Sequence, residues 1–489
     1  MIKKILFVLL GAFLMLLTIL LVNTFRLDNT QIEAELNQPV DRNPDVMLNR
    51  FSRALQYQTI SGDLEDRRNM DEFYEFLDFI DSEFPLVHQR LRHTRFNDLT
   101  PLYFWEGSNP DLDPILLMGH YDVVPVDSTD LDEWLHEPFS GTVEDGYIWG
   151  RGTLDNKFNV MMLLESVEYL LENDYQPERG IYMVFGHDEE IGGDDGALAV
   201  SQFFQEQDTR LQFVLDEGGL VIDGVLPTDR PIAIIGIAEK GYLSLELVAR
   251  SSGGHSSTPP SDKSIIKLSD ALIKLEQNPF PARIDGATEL MFDSIGNKLP
   301  FGLQVMYGNR WLTEGMIKNR MSRDRSSSAL IRTTIAPTML RAGVKDNVLP
   351  TEARAVVNFR ILPGDTFESI KDHVRTVIDD ESITIREYDT ISTRPSAVSS
   401  VEGSVYQALQ ESIMSHFQNV YVSPYLVVGA TDSRHFIPIA DNVYRFSPIE
   451  MNNEDLGIIH GINERIGVDN YLNSIRFYVD FIQKPLSKG

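Results

Sequence analysis

The stretch that decides the fold of this chain is FGHDEEIGG, residues Phe185–Gly193. The apolar run that leads into it, residues 181–185, predicts a buried strand, and the two glycines at its end predict a turn. The strand thus delivers two adjacent carboxylates, Glu189 and Glu190, into a loop, which is where α/β sheets bind ligands. Adjacent carboxylates repel each other unless a cation lies nearby. Taken alone, such a pair is more typical of an acidic surface turn. A metal site explains it as well, with one glutamate as ligand and the other accepting a proton from water.

Three further apolar runs also lead to a histidine or an aspartate. Residues 115–118 precede His120 and Asp122, residues 147–149 precede Asp155 at the start of a predicted helix, and residues 211–215 precede Asp216. A carboxylate beside an imidazole orients a metal-ligating histidine. Taken singly, however, a structural His–Asp pair and a helix N-cap are the commoner roles of such residues. Because the four runs share one phase, the sequence predicts a parallel-rich α/β sheet with a site along one polar edge.

The composition excludes several classes of function. The chain of 489 residues is long enough for two or three domains. Its net charge of −30 argues against nucleic acid and against anionic membrane surfaces as partners, and it contains no glycine-rich phosphate-binding motif. The absence of cysteine excludes disulfides, thiol catalysis and thiolate metal sites, so a metal site must use His, Asp and Glu.

The N-terminal segment predicts a membrane anchor within residues 1–26. Residues Ile5–Val22 are uncharged and almost wholly apolar, and as a helix they span roughly 27 Å, enough for a bilayer core. Lys3 and Lys4 favour a cytoplasmic N-terminus and an extracytoplasmic remainder. A cleaved signal peptide is the alternative, although residues 23–26 match a cleavage site poorly. The polar residues 27–44 predict a stalk.

The rest of the chain predicts two domains. Residues 45–237 and 394–489 share the strand–site–helix pattern of a catalytic domain, whereas residues 238–393 alternate in the manner of an antiparallel sheet and predict an inserted α+β lid domain. Within that range, residues 280–328 have no clear pattern. A lid of this kind is also a possible homodimer interface.

The ordered set of motifs resembles one known family. It comprises His120-Tyr121-Asp122, GRGTLDNK, Glu189-Glu190, DEGG, GGHSSTPP, the stretch 345–350 (KDNVLP), ATDSRHF and IHG. The chain is similar over residues 45–489 to the co-catalytic zinc peptidases and amidohydrolases that include aminoacylase, acetylornithine deacetylase and carboxypeptidase S. Within this family it most resembles the carboxypeptidase S branch, which includes N-fatty-acyl-amino-acid synthase/hydrolases. The resemblance implies a two-domain zinc exopeptidase fold.

The resemblance also implies roles for individual residues. The expected ligands of two Zn²⁺ ions, with Asp155 shared between them, are His120, Asp155, Glu190, Asp216 and His460. Glu189 corresponds to the general base, Asp122 to the residue behind His120, and His255 to the group that polarises the scissile carbonyl. The expected substrate-binding residues are Asn347, Arg360 and Arg434. The family often has Gly soon after the bridging Asp, where this chain has Phe158.

The favoured function is zinc-dependent cleavage of the amide bond of peptides or N-acyl amino acids that carry a free carboxylate. One alternative is reversible synthesis and hydrolysis of N-fatty-acyl amino acids, and another is a non-catalytic membrane-anchored binding protein on the same fold. A calcium-stabilised surface protein would need EF-hand-type loops, which the sequence lacks. Five aromatic residues between 280 and 328 are expected to line an apolar groove beside the metal site, with a local core or a dimer surface as the alternative: Phe280, Phe292, Phe301, Tyr307 and Trp311.

Overall fold

The structure is a computed structural model of the whole chain. It describes residues 1–27, 30–32, 34, 42–62, 70–224, 226–388, 392–452 and 455–485. Several residues of the predicted stalk, 28–29, 33 and 35–41, therefore lie outside the described residues.

Helices and strands alternate along most of the chain. The helices are α1 (Ile2–Phe25), α2 (Pro44–Ala54), α3 (Met70–Glu83), α4 (Pro85–Arg90), α5 (Lys157–Glu172), α6 (Ala197–Glu206), α7 (Ser264–Gln277), α8 (Gly286–Ile295), α9 (Phe301–Gly308), α10 (Arg310–Met321), α11 (Arg325–Ala329), α12 (Phe367–Ile378), α13 (Ser404–His416) and α14 (Val468–Gln483). The strands are β1 (Arg92–Phe96), β2 (Thr100–Trp105), β3 (Ile115–His120), β4 (Val143–Glu144), β5 (Tyr147–Trp149), β6 (Ile181–Gly186), β7 (Leu211–Asp216), β8 (Val221–Asp223), β9 (Ile232–Glu239), β10 (Gly241–Arg250), β11 (Gly254–His255), β12 (Thr334–Ala342), β13 (Val348–Leu349), β14 (Glu352–Ile361), β15 (Ile383–Glu387), β16 (Tyr421–Val427), β17 (Ala440–Arg445), β18 (Glu450–Asn452) and β19 (Arg465–Gly467).

The main sheet is mixed and has a parallel centre. Its order is β1-β2-β6-β3-β7-β17-β9-β8-β18, and β16 pairs with β9. The four central strands β6, β3, β7 and β17 are parallel, so their carboxyl ends meet along one edge. The prediction of a parallel-rich α/β sheet is confirmed. Asp155 is the exception among the predicted strand ends, because β5, which precedes it, belongs to a separate three-stranded sheet.

Both faces of the main sheet are buried. On one face α5 packs against β3 and against the helices α2, α4 and α14, and almost every α5 side chain is buried as a result. On the other face α6 buries Val200 and Phe204 against Leu116 and Val214 of the sheet. A central parallel sheet covered on both sides explains why its strands appear in the sequence as continuous apolar runs.

A second, antiparallel sheet lies within the range predicted for the lid. Its order is β12-β14-β10-β15, and α7 and α12 pack against it around a hydrophobic core of its own. The range 238–393 is nevertheless not one packing unit. Helix α8 packs on β16, and residues such as Phe292, Ile317 and Ile331 belong to the core of the main sheet.

Helix α1 contacts the rest of the molecule only through its C-terminal end. Its residues 2–19 are exposed, whereas Thr24 is buried, and α9 is the helix it contacts. It is the one helix of the described residues that is long and apolar enough to span a membrane. Of the predicted stalk, Gln31 is hydrogen-bonded to the backbone of Ser294 and Val422 of the body.

Candidate metal centre and active site

Three neighbouring strands and two loops bring the predicted ligands together. His120 ends β3, Glu189 and Glu190 follow β6, and Asp216 ends β7, so these residues meet at the carboxyl edge of the sheet. The loop between β5 and α5 supplies Asp155, and the loop between β18 and β19 supplies His460. Residues from distant parts of the sequence thus meet in one cluster, as metal sites require.

The side chain of Asp155 lies between the two histidines. Its Oδ1 is 3.0 Å from Nε2 of His120, and its Oδ2 is 2.8 Å from Nε2 of His460. His460 Nε2 also lies 3.1 Å from Oε1 of Glu190. Each oxygen of Asp155 therefore faces a separate histidine. The potential N-cap role of Asp155 is wrong, because the N-cap residue of α5 is Asn156.

Asp122 is buried behind His120 and contacts several groups of the site. Its Oδ1 is 3.2 Å from Nδ1 of His120, so the far ring nitrogen is held and Nε2 faces the cluster. The same carboxylate accepts hydrogen bonds from the backbone N–H groups of Glu189 and Glu190, at 3.2 Å each, and from the hydroxyl of Ser61. One side chain thus orients both His120 and the turn that carries the paired glutamates.

The tight packing of this turn explains the glycines that end FGHDEEIGG. Gly193 has a φ of 68°, and a Cβ there would lie 1.9 Å from Oδ1 of Asp432. A larger residue would therefore clash with a buried carboxylate and adopt an unfavourable backbone conformation.

At the end of β7 the structure places Glu217, and not Asp216, against His120. Glu217 Oε1 lies 3.2 Å from Nε2 of His120, and its other oxygen accepts a hydrogen bond from the side chain of Asn156. Asp216 is buried and its Oδ2 accepts the backbone N–H of Ser433 at 2.9 Å. The assignment of Asp216 as a ligand stays a prediction, and Glu217, just beyond the end of β7, is the neighbouring carboxylate that faces His120.

The electrostatics of the cluster favour a cation. Burial and the charge of Asp155 raise the pKa of Glu217 to about 8. Burial likewise raises the pKa of Glu189 well above its ordinary value, and the carboxylates of Asp432, Glu217 and Glu190 raise it further. Hydrogen bonds to Asp155 and Glu190 raise the pKa of His460 to about 10. So many carboxylates out of water are stable in ionised form only when positive charge lies among them, and divalent cations provide it.

The donor set therefore fits metal ions. Ligand atoms of His120, Asp155 and Glu190 lie within 4.8 Å of one another, as do those of His120, Glu189 and Glu217. Imidazole and carboxylate are ligands that zinc accepts in catalytic sites. The pairwise distances arrange the same groups as two half-sites that share Asp155, one with His120 and Glu217 and the other with His460 and Glu190.

Glu464 supports this arrangement from the buried side of the Asp155 loop, and the sequence analysis missed it. Its Oε1 accepts the backbone N–H groups of Leu154 at 2.8 Å, Gly152 at 3.1 Å and Asp155 at 3.3 Å. Its Oε2 lies 2.6 Å from the guanidinium of Arg151. Glu464 is fully buried, so it fixes the loop that presents Asp155.

We expect Glu464→Gln to lower the free energy of unfolding by about 3 kcal/mol, because it leaves the buried Arg151 without its counter-charge. Metal affinity should fall as well, since the Asp155 loop loses its anchor. Urea denaturation and metal titration measure the two effects, and exposed Glu206→Gln on α6 is the matched control. Unfolding like that of the control would contradict a supporting role.

A cleft of about 990 Å³ opens above the cluster. Its lining includes Asp155, Glu189, Glu190, Glu217 and His460. The apolar and aromatic part of its wall is formed by Leu154, Ile191, Leu220, Tyr242, Tyr388, Val427, Ile449 and Ile459.

Two of the predicted substrate-binding residues also line this cleft. Arg360 stacks its guanidinium over the ring of Tyr242 at 4.7 Å, and Arg434 donates to the carbonyls of Thr431 and Gly192. Burial lowers the pKa of Arg360 from its ordinary value, although the group stays cationic at neutral pH.

The expected aromatic groove is wrong, because none of its five aromatic residues lines the cleft. Phe280 is buried in the core of the second sheet, and Phe292 stacks on Tyr307 at the core of the main body. Phe301 and Trp311 are exposed to solvent. The local-core alternative is thus correct for Phe280, Phe292 and Tyr307.

His255 and Asn347 do not line the cleft of their own chain. Both are exposed, and they lie close to each other, where β11 pairs with β13. The backbone N–H of Ser257 donates to Nδ1 of His255 at 3.2 Å, so in the neutral ring Nε2 carries the proton. His255 therefore offers an N–H donor to solvent.

Most of the chain aligns with known protein sequences. The model of a family described as Peptidase family M20/M25/M40 matches residues 116–484. The probable carboxypeptidase S-like 2 of Dictyostelium discoideum is 39% identical over 479 residues, which cover 96% of this chain and 92% of that protein. An N-fatty-acyl-amino acid synthase/hydrolase of Xenopus tropicalis is 36% identical over 491 residues, covering 97% and 94% of the two chains.

Solved structures show a similar fold. An M20 family metallo-carboxypeptidase of Sulfolobus solfataricus superposes with a TM-score of 0.61 at 20% identity, over 89% of this chain and 98% of its own. Human carnosine dipeptidase 1 also gives a TM-score of 0.61, at 16% identity, over 91% and 96%. At these identities the similarity concerns the fold.

Proposed function

Since this chain belongs to the peptidase family M20/M25/M40, we propose that it hydrolyses N-acyl amino acids or short peptides that carry an apolar acyl group and a free carboxylate. Membership confirms the family resemblance and identifies the chain as a hydrolase of amide bonds. The observation that carries the proposal is the position of Asp155, with one oxygen toward His120 and the other toward His460, in a cleft that also holds Glu189 and Arg360.

We assign each residue a step in this reaction. His120, Asp155, Glu217, Glu190 and His460 hold two divalent cations, proposed as Zn²⁺, which when bound acidify water and polarise a carbonyl. Glu189 takes a proton from the attacking water and delivers it to the leaving amine nitrogen as the C–N bond breaks. Asp122 keeps His120 in the orientation that binds the cation. The products are a carboxylic acid and a free amino acid.

The cleft supplies the basis for substrate choice. The guanidinium of Arg360 offers paired N–H donors that match a carboxylate, and its stacking on Tyr242 fixes the plane of the fork. Apolar residues such as Leu220, Val427 and Ile449 line the same cleft. The same groups would also catalyse the reverse condensation of a fatty acid with an amino acid, and the Xenopus relative is named as both a synthase and a hydrolase of N-fatty-acyl amino acids.

Extension of the acyl chain should raise kcat/KM stepwise, because each buried CH₂ contributes about 0.8 kcal/mol, roughly fourfold, until the cleft is full. A series of N-acyl amino acids from acetyl to long acyl chains measures this. Arg360→Ala should abolish the preference for a free carboxylate over its amide without changing the chain-length trend, with Arg341→Ala on exposed β12 as the control. A flat response to chain length would favour a short-peptide carboxypeptidase instead.

We also propose that the second sheet is a lid domain and that it forms a homodimer in which His255 acts on the partner's substrate. The exposed Nε2–H of His255 would donate to the carbonyl oxygen of the scissile amide. Strand β12 lies at an edge of the second sheet and is mostly exposed along its length, with Met339 and Leu340 among the exposed side chains. Unpaired edge strands of this kind pair with second copies.

A mixture of two inactive variants tests this. Subunit exchange between His255→Ala and Glu189→Gln should restore activity to about a quarter of the wild-type value, because half of the dimers are mixed and each has one intact site. Each variant alone is the control. A mixture that exchanges subunits but stays inactive would place His255 in its own chain's site.

We further propose that α1 anchors the protein in a membrane as a single span, with the catalytic body outside the cytoplasm. The exposed apolar length of α1 supports insertion, and Lys3 and Lys4 before it support a cytoplasmic N-terminus. A cleaved signal peptide remains the alternative for this helix.

A further inference from the structure

Two short helices next to the end of α1 expose large apolar side chains. Phe301 of α9 is 53% exposed, and Trp311, Leu312 and Met316 of α10 are 62%, 50% and 56% exposed. The opposite face of α10 buries Ile317 and Met321 in the main core. Helix α10 is therefore held in place by its buried face, and its exposed apolar face does not contribute to the core. Large exposed apolar groups that cluster in this way mark an interaction surface.

The position of α1 shows which surface lies opposite. Asn309, between α9 and α10, donates to the carbonyl of Leu20 at 3.0 Å and accepts from the side chain of Asn23 at 3.1 Å. A Cβ on Gly308 would lie 3.0 Å from Cα of Thr24, so the helices approach closely. The ring of Phe25 lies 6.4 Å from that of Phe301. The exposed apolar face of α9 and α10 thus begins where the apolar helix leaves the body.

The charge around this surface differs from that of the whole chain. Residues 296–332 contain seven basic and two acidic residues, whereas the chain carries a net charge of −30. Two of the basic residues are neutralised by ion pairs, Arg310 with Glu289 and Asp293 of α8 and Lys318 with Glu314. Arg320, Arg323 and Arg325 of this segment are exposed. Basic residues around a Trp and aliphatic side chains are the composition of a helix that lies in the headgroup layer of an anionic bilayer.

We propose that Phe301, Trp311, Leu312 and Met316 form a membrane-docking surface that enters the interfacial layer of an anionic lipid bilayer. This goes beyond the proposed hydrolysis, and it uses the proposed anchor only to bring the bilayer near. Contact at α1 and at this surface would fix the orientation of the body on the membrane, since a single membrane span alone leaves rotation about its axis free. A second copy of the chain is the competing occupant, but the excess of basic residues would repel an identical surface while it attracts anionic lipid.

Spin labels on single cysteines test the proposal without background, because the chain has no cysteine. The full-length chain is reconstituted into vesicles of phosphatidylcholine with phosphatidylglycerol, with nitroxide at Met316→Cys, Leu14→Cys or Val344→Cys. Oxygen partitions into lipid and a nickel chelate into water. The label at 316 should favour oxygen several-fold over the chelate. The label at Val344, which is 96% exposed between β12 and β13, should show the reverse preference.

Each outcome decides a separate point. Chelate access at 316 equal to that at 344 overturns the docking surface, as does oxygen preference at both positions, which indicates nonspecific adsorption. If neither oxygen nor the nickel chelate reaches the label at 316, and labels on two chains broaden each other's spectra, the surface binds a second copy and the docking proposal is overturned. The label at Leu14 tests the anchor independently: its exposure to water refutes insertion of α1, while the reading at 316 still decides the surface. In the 316 background, Trp311→Ser with Leu312→Ser should move the label into water and leave hydrolysis of a soluble substrate unchanged.

Discussion

Glu189→Gln should lower kcat by roughly 10²–10⁴-fold while both ions remain bound. Glutamine has nearly the same shape as glutamate but cannot take a proton from water. The Glu189 side chain lies 3.9 Å from Nε2 of His120, farther than Glu217 or Asp155, and we propose it as the base beside the ions. Steady-state kinetics with an N-acyl amino acid, combined with metal analysis of the same preparation, measures both properties.

Glu190→Gln is the matched control for this variant. It makes the same chemical change one residue away, at the carboxylate that faces His460. We expect it to lose an ion, whereas Glu189→Gln keeps both. A loss of less than about tenfold in kcat for Glu189→Gln would remove that residue from the role of base. If Glu189→Gln and Glu190→Gln lose the same amount of metal, Glu189 is a ligand and not the base.

The sequence predicted the central sheet well, because a strand buried on both faces must be continuously apolar. The predicted runs 115–118, 181–185 and 211–215 correspond to β3, β6 and β7, each of which extends one or two residues further. Those extra residues include His120 and Asp216, whose polarity made the strands seem to end earlier.

The two carboxylates at the end of β7 show what the sequence could not decide. Asp216 and Glu217 are adjacent carboxylates, and either has the chemistry of a ligand. Which of the two faces His120 depends on the register of β7 against β17, where Asp216 lies opposite Arg445. The role of Glu464 was hidden for a similar reason, since its partners lie some 310 residues earlier in the chain.

The sequence-based prediction for residues 280–328 failed for a different physical reason. Their helices are short and are stabilised by neighbours distant in sequence, namely β16 for α8 and α1 for α9. Helices of this length have little stability of their own, so their local sequence pattern is weak. The aromatic residues there were expected near the cleft because their burial against these distant elements is not visible in the sequence.

Asp155→Ala should abolish binding of both ions and all measurable hydrolysis, because this side chain is shared by the two half-sites. Removal of a ligand from only one half-site, as in Glu190→Ala, should leave one tightly bound ion. Inductively coupled plasma analysis of zinc per chain, after dialysis against a fixed free-zinc buffer, distinguishes the two cases. Retention of one ion by Asp155→Ala would mean that its oxygens serve a single site.

The pair Glu217→Gln and Asp216→Asn completes this argument at the other half-site. Each replaces a carboxylate by its amide at adjacent positions, so the two variants make the same chemical change within the same stretch of backbone. Glu217 faces Nε2 of His120, and its replacement should release the ion of that half-site. The Asp216 carboxylate accepts the backbone N–H of Ser433, so its amide should keep two ions and lose stability instead. The opposite result would return Asp216 to the ligand set and require β7 to rotate its end on metal binding.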